Sequence, residues 1–122
     1  IAGGFDRNQP FDKLARSVLN SNIRNLVMLP ATGIKIWREI KKQAESSGQT
    51  DRFRELSYCP AADMREAVDS VFAKTKKGKI CLLSAAAASF GGFADYADRG
   101  RQFKECLVDG GRLFAAKDNQ KK

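Results

Sequence analysis

Two turns in this chain carry residues whose types and spacing suit the binding of an anion. In Gly3-Gly4-Phe5-Asp6-Arg7 the glycines allow a tight turn and close approach of a ligand, and the Arg7 guanidinium can grip a carboxylate through two parallel hydrogen bonds. The plain alternative is a glycine-rich turn with a solvent-facing arginine. In Ser84-Ala85-Ala86-Ala87-Ala88-Ser89-Phe90, Ser89 can donate a hydrogen bond at a helix N-terminus, where backbone N–H groups and the positive dipole end also favour an anion. An ordinary N-cap is the other use of that serine. Ala87-Ala88-Ser89-Phe90-Gly91 has a partial likeness to the GxSxG nucleophile elbow, but its first glycine is missing. The sequence contains no histidine to activate Ser89. That absence also removes Ser-His-Asp triads, His-assisted cysteine nucleophiles and most zinc sites. Any chemistry here must then use carboxylates, lysine, arginine, hydroxyls or backbone dipoles, and no metal site is expected.

Nucleotide fingerprints are missing as well. Gly3-Gly4 does not extend to GxGxxG. Gly78-Lys79 is no P-loop, since Ala73 stands where the first glycine should be and Ile80 where Ser or Thr should follow. The chain thus has no recognisable cradle for ATP phosphates. A net charge of +8 raises the question of nucleic acid. The cations, however, are mixed with acids along the chain, as in Arg52-Phe53-Arg54-Glu55 and Lys117-Asp118. The densest patch, Lys74-Thr75-Lys76-Lys77-Gly78-Lys79, suits a helix C-terminus running into a turn. A basic domain that meets nucleotide or carboxylate ligands accounts for the balance without nucleic acid.

Cys59, Cys81 and Cys106 form no CxxC pair and read as reduced, mostly buried thiols of a cytosolic protein. No apolar run approaches the roughly 18–20 residues that span a bilayer. Ile1-Ala2-Gly3-Gly4 has neither the basic nor the apolar region of a signal peptide, and reads as the boundary of a fragment.

The elements that must position the two turns follow from hydrophobic spacing. Ile1–Gly4 reads as the end of a buried strand. Phe11, Leu14, Ala15, Val18 and Leu19 form one helix face, with Pro10 at its start. Ile23–Leu29 is a strand stopped by Pro30, and Thr32 can cap a helix through about Ser46, with Ile34, Trp37, Ile40, Lys41 and Ala44 near one face. Phe53–Tyr58 reads as a short strand. Asp63 opens a helix with Met64, Ala67, Val68, Val71 and Phe72 on one stripe. Ile80-Cys81-Leu82-Leu83 is fully apolar, as in a central parallel strand. The Ser84–Ser89 loop leads to a helical segment ending near Val108. Phe90, Phe93, Tyr96 and Phe103 fall at helical spacing, which favours core packing over a stacking platform. Arg99-Gly100-Arg101 can be an anion contact or a solvated face, and Gly100 within a helix suggests close packing or a bend.

Strands alternating with helices predict a single α/β domain with a Rossmann-like, doubly wound, mostly parallel sheet flanked by helices. Ligands of such sheets sit beyond the carboxyl ends of the strands. Both candidate turns lie there, on one edge.

The residues also resemble a family. Leu82-Leu83-Ser84-Ala85-Ala86-Ala87-Ala88-Ser89-Phe90-Gly91-Gly92-Phe93-Ala94-Asp95-Tyr96-Ala97-Asp98-Arg99-Gly100-Arg101-Gln102-Phe103 is similar to the signature LLSPAxASFDxFxxFExRGxxF of the Mur ligases that add D-glutamate. Ile1-Ala2-Gly3-Gly4-Phe5-Asp6-Arg7 resembles that family's IAGGxDK/R turn, and Asp63-Met64-Arg65-Glu66-Ala67-Val68 its DMxEAV helix. The likeness covers about residues 1–110, more weakly over 30–60. Ala85 replaces the usual proline, Gly91 the usual aspartate and Ala97 the usual glutamate, while Pro10 stands where an aspartate is common; Asp98 keeps an acid one position later.

The resemblance implies the C-terminal, amino-acid-binding domain of a cytoplasmic ligase of peptidoglycan synthesis, with residues 1–112 the domain and 113–122 a polar tail. The implied reaction joins D-glutamate to UDP-N-acetylmuramoyl-L-alanine through an acyl phosphate formed by ATP. ATP and Mg²⁺ would be bound mainly by a central domain, and a further domain would bind the UDP sugar. The chain alone would be inactive, and its sheet would lack the family's first strand. Carried over by position, Arg7, Ser89 and Phe90 would hold the side-chain carboxylate of D-glutamate and Tyr96 would border its pocket, with Gly3, Gly4 and Ser84 supporting the loops. Another Mur or folylpolyglutamate-type ligase, or a noncatalytic Rossmann-like binding module, are the alternatives. Neither nucleic acid nor a membrane is an expected partner.

Overall fold

A computed structural model describes residues 1–89 and 92–120, with side chains through residue 113. The elements run β1 (Ala2–Gly3), α1 (Asp12–Leu19), β2 (Asn25–Leu29), α2 (Gly33–Ser46), α3 (Thr50–Arg54), β3 (Ser57–Pro60), α4 (Met64–Lys74) and α5 (Tyr96–Gln120). The sheet has the order β1-β2-β3 and both pairs are parallel, with Ala2 opposite Met28 and Val27 opposite Cys59. This is the α/β architecture expected from the alternation of strands and helices.

The middle strand explains the layering. Side chains alternate across a strand, so Leu26 and Met28 point to one face and Val27 and Leu29 to the other. The first pair joins Phe11, which precedes α1, with Ala15 and Val18 of α1 and Ile36 and Ile40 of α2. The second joins Met64, Ala67, Val68 and Val71 of α4. A strand covered on both faces must be apolar throughout, and Leu26–Leu29 is. Phe103, Cys106 and Leu107 of α5 pack beside the α4 cluster, and Arg65 of α4 pairs with Asp109 of α5 at 3.2 Å.

Several expectations are corrected. The strand placed at Phe53–Tyr58 is split: Thr50–Arg54 is a helical turn and pairing begins only at Ser57, where β2 offers partners. The buried stripe of α2 uses Ile36, while Ile34 is partly exposed. Thr32 does precede α2, but its hydroxyl makes no cap bond to the helix.

The largest difference lies at Ile80–Leu83, which is not a strand of the sheet. Ile80 is 90% exposed and Leu82 66%, while Cys81 and Leu83 pack against the α4 cluster. Only one side of the segment is covered, so it lies at the edge beyond β1 instead of at the centre. Its bonds still follow a parallel pattern: the Ile1 amino group donates to the Leu82 carbonyl at 2.8 Å, and the Ser84 N–H donates to the Ile1 carbonyl at 3.0 Å. The helix expected to end near Val108 continues to Gln120.

Candidate functional site

The carboxyl end of β1 is where the candidate turns meet. Gly3 takes φ +106 and Gly4 φ +158, the first well inside the region that favours glycine. Space forbids a side chain at either place. A Cβ on Gly3 would lie 2.2 Å from the Leu29 carbonyl oxygen, and one on Gly4 2.5 Å from that of Ala88. The turn is therefore pressed between the end of β2 and the small-residue loop.

Backbone hydrogen bonds fix this arrangement. The Gly3 N–H donates to the Ala85 carbonyl at 2.7 Å and the Phe5 N–H to the Ala88 carbonyl at 2.8 Å, so that Phe5 and Ala88 form an isolated antiparallel bridge. Thr32, fully buried, accepts the Gly4 N–H on its hydroxyl at 2.9 Å. The Gly4 carbonyl in turn accepts the N–H groups of Ala31 and Thr32, at 2.9 and 3.1 Å. Three turns that follow β1, β2 and the Ile80–Leu83 segment thus converge at one end of the sheet.

Of the residues singled out in the sequence, Gly3 and Gly4 make the turn, and Ser84 donates its N–H to Ile1. Arg7 lies two residues beyond the Phe5–Ala88 bridge and is exposed, its backbone N–H held by Gln9 Oε1 at 2.9 Å. Ser89 directly follows that bridge and is buried. Tyr96 is 79% exposed at the first residue of α5, so it takes no part in the core where Phe93 and Phe103 pack. Phe90 lies outside the described residues.

Ser89 does not stand at a helix N-terminus. Its carbonyl accepts the Phe93 N–H at 3.1 Å, and α5 starts only at Tyr96. The end of α5 is capped by the chain's own acids: Asp95 Oδ1 accepts the Asp98 N–H at 2.7 Å, and Asp98 Oδ2 accepts the Ala94 N–H at 3.0 Å. The Ala94 bond, with help from Gln102 and Arg101, holds the Asp98 carboxyl below the usual aspartate range. Asp95 thus caps one amide of the first turn, that of Asp98, and both carboxylates lie at the positive end of the helix dipole.

Near Arg7, Lys35 pairs with Asp6, and this bond, followed by that from the Asn8 N–H, lowers the Asp6 pKa. Lys35 also lines a shallow groove with Pro10, Phe11 and Arg38. Three residues have structural roles that the sequence did not assign to them: Thr32 read as a helix cap, Asp95 as one residue of a helical run, and Arg99 as an anion contact or part of a solvated face. Only Arg99 carried a signal, as half of an Arg-Gly pair within the signature. Among the described residues, no group of three or more His, Cys, Asp or Glu side chains is arranged to hold a metal ion.

No family model matches the sequence. Individual relatives do, over nearly all of it. A protein of Clostridium kluyveri is 37% identical over 109 residues, 89% of this chain. The chain is similar to one segment of UDP-N-acetylmuramoylalanine–D-glutamate ligase. Ligases of that name from Acetivibrio thermocellus and Streptococcus sanguinis are 31% and 32% identical, over 88% and 84% of this chain. The resemblance to Mur ligases read from the signature residues is therefore borne out. The chain spans 22% of the length of the Clostridium and Acetivibrio ligases, so it matches a segment of each and not the whole enzyme.

Proposed function

We propose that this chain is the C-terminal, amino-acid-binding domain of a cytoplasmic ligase that joins D-glutamate to UDP-N-acetylmuramoyl-L-alanine. In this reading residues 1–112 are the domain and 113–122 a polar C-terminal tail. The observation that carries the reading is the pair of bonds from Gly3 to Ala85 and from Phe5 to Ala88, which lays the Arg7 turn against the loop that ends in Ser89. A guanidinium and a hydroxyl on adjoining turns suit a carboxylate. Arg7, Ser89 and the backbone at Phe90 hold the side-chain carboxylate of D-glutamate, and Tyr96 borders it from α5.

The chain supplies neither a nucleophile nor a base. Its contribution is to bind the incoming amino acid and orient its amine, which removes part of the entropic barrier to amide formation. ATP and Mg²⁺ are needed by the whole ligase and are held by its central domain, because this sequence has no P-loop. The UDP sugar is held by the N-terminal domain.

Phosphate release by a full-length ligase carrying these residues tests the reading, with ATP, UDP-N-acetylmuramoyl-L-alanine and a panel of amino acids. Release should depend on D-glutamate and be absent with the 122-residue chain alone. Release with a different amino acid would keep the ligase and change its substrate; release with none would refute the assignment. Arg7→Ala and Ser89→Ala should each raise the KM for D-glutamate roughly ten- to a hundredfold, as expected for a charged hydrogen bond of about 1.5–3 kcal/mol. The KM for ATP should stay close to that of the parent.

A further inference from the structure

The loop that carries Ser89 is held in a conformation its own residues do not favour. Ala86 takes φ +60, in the left-handed region where a Cβ is crowded by the backbone. Such a residue persists only where its surroundings impose it. Packing does not, since the Ala86 side chain is exposed. The constraint falls on the carbonyls beside it. Those of Ala85 and Ala88 accept the N–H groups of Gly3 and Phe5. The carbonyl between them, that of Ala87, accepts from Nη1 of Arg99 at 2.8 Å in a partly buried bond.

Arg99 reaches this loop from the first turn of α5, an element the loop otherwise precedes by seven residues. The helix start is fixed in turn, because the Arg99 N–H donates to the Asp95 carbonyl at 3.1 Å, next to the Asp95–Asp98 cap. One guanidinium thus ties a rigid helix end to the backbone two residues before Ser89. We infer that Arg99 is a positioning residue: by fixing the Ala87 carbonyl it sets where Ser89 stands relative to the Arg7 turn. Its place in the ligase rests on the D-glutamate reading given above; its hold on the loop does not.

Three variants test this in the full-length ligase. Arg99→Ala removes the side chain, Arg99→Met keeps an apolar stem while losing every donor, and Arg99→Lys keeps a charge and a shorter donor. For the first two, the KM for D-glutamate should rise about tenfold with the KM for ATP unchanged, and the lysine variant should recover part of the loss. Amide exchange should quicken at Gly3 and Phe5, whose acceptors lie on the loop, and stay slow at Val27 and Leu29 in β2. The methionine variant carries the test if the alanine variant does not fold.

Unchanged exchange at Phe5 together with an unchanged KM for D-glutamate would overturn the inference. So would a uniform quickening through β2 with all kinetic parameters moving together, which is the mark of general destabilisation. Ser89→Ala separates the two readings. If it leaves the KM for D-glutamate alone while Arg99→Ala still quickens exchange at Phe5, the substrate assignment fails and the positioning stands. If Ser89→Ala raises that KM and Arg99→Met does not, the substrate assignment stands and the positioning fails.

Discussion

Replacing Thr32 by valine isolates the bond on which the Gly4 turn depends. The two side chains have nearly the same shape, so the substitution removes the hydroxyl and leaves the packing in place. Thr32 is wholly buried, and its Oγ1 is the acceptor of the Gly4 N–H at 2.9 Å. In the valine variant that N–H would stay buried with no acceptor. A buried donor left unmatched costs about 1–3 kcal/mol. The more apolar methyl offsets part of this, so the net loss should be roughly 1–2 kcal/mol. A domain of this size has a total stability of about 5–15 kcal/mol, which makes that loss easy to measure. With a urea slope of roughly 1.5 kcal/mol per molar, the midpoint should fall by about 1 M at an unchanged slope. Urea unfolding of the 122-residue chain, followed by far-ultraviolet circular dichroism, is the assay. Amide exchange at Gly4 should accelerate in the same variant, while Thr32→Ser, which keeps the acceptor, should preserve protection at Gly4. A valine variant as stable as the parent, with Gly4 exchange unaltered, would refute the reasoning.

Further outcomes follow from other sites. Gly100 lies within α5, and a Cβ there meets no described atom within 4 Å, so neither close packing nor a contact calls for glycine. Gly100→Ala should therefore stabilise the chain by roughly 0.5–1 kcal/mol, read as a higher melting temperature; a lower one would show that the glycine is required. Ile80→Lys should cost under about 0.5 kcal/mol because Ile80 is exposed, whereas Met64→Ala in the α4 core should cost about 2–5 kcal/mol. Equal losses from the two would restore Ile80 to a core strand. The Asp98 and Asp6 carboxyls are both held below the ordinary aspartate range, first by the Ala94 N–H and by Lys35 respectively. A pKa lowered in the folded state adds stability above the unfolded value, and this is lost as pH falls through the folded one. Denaturation midpoints should drop on acidification below that ordinary range, and Asp98→Asn should flatten the drop; a variant with the parent's acid profile would count against the cap.

Helices were the most legible part of the fold. Phe11 to Leu19 and Met64 to Phe72 each repeat apolar side chains at helical intervals, and both helices form where that spacing placed them. Asp63 caps α4 as its type and place suggested, accepting the Glu66 N–H at 2.9 Å. The short apolar runs misled. Ile80–Leu83 has the composition of a central strand, but composition does not say how much of the sheet lies beside it, and among the described residues the segment bonds to the start of the chain at Ile1. Phe53–Tyr58 was misread because a few aromatic and charged residues fit a helical turn as well as a strand.

The candidate site divides along the same line. Gly3-Gly4, Arg7 and the small-residue run ending in Ser89 were visible in the sequence because their types restrict backbone and charge locally. The placing of both turns beyond the strand ends came from strand and helix order alone, which fixes direction in a parallel sheet. Thr32, the Asp95–Asp98 cap and the grip of Arg99 on Ala87 were decided only by the tertiary structure. Each joins a side chain to a backbone group whose availability depends on which loops come together. Residue types and periods determine what a segment can form by itself; which buried N–H or carbonyl still lacks a partner is settled only when the whole chain has closed around it.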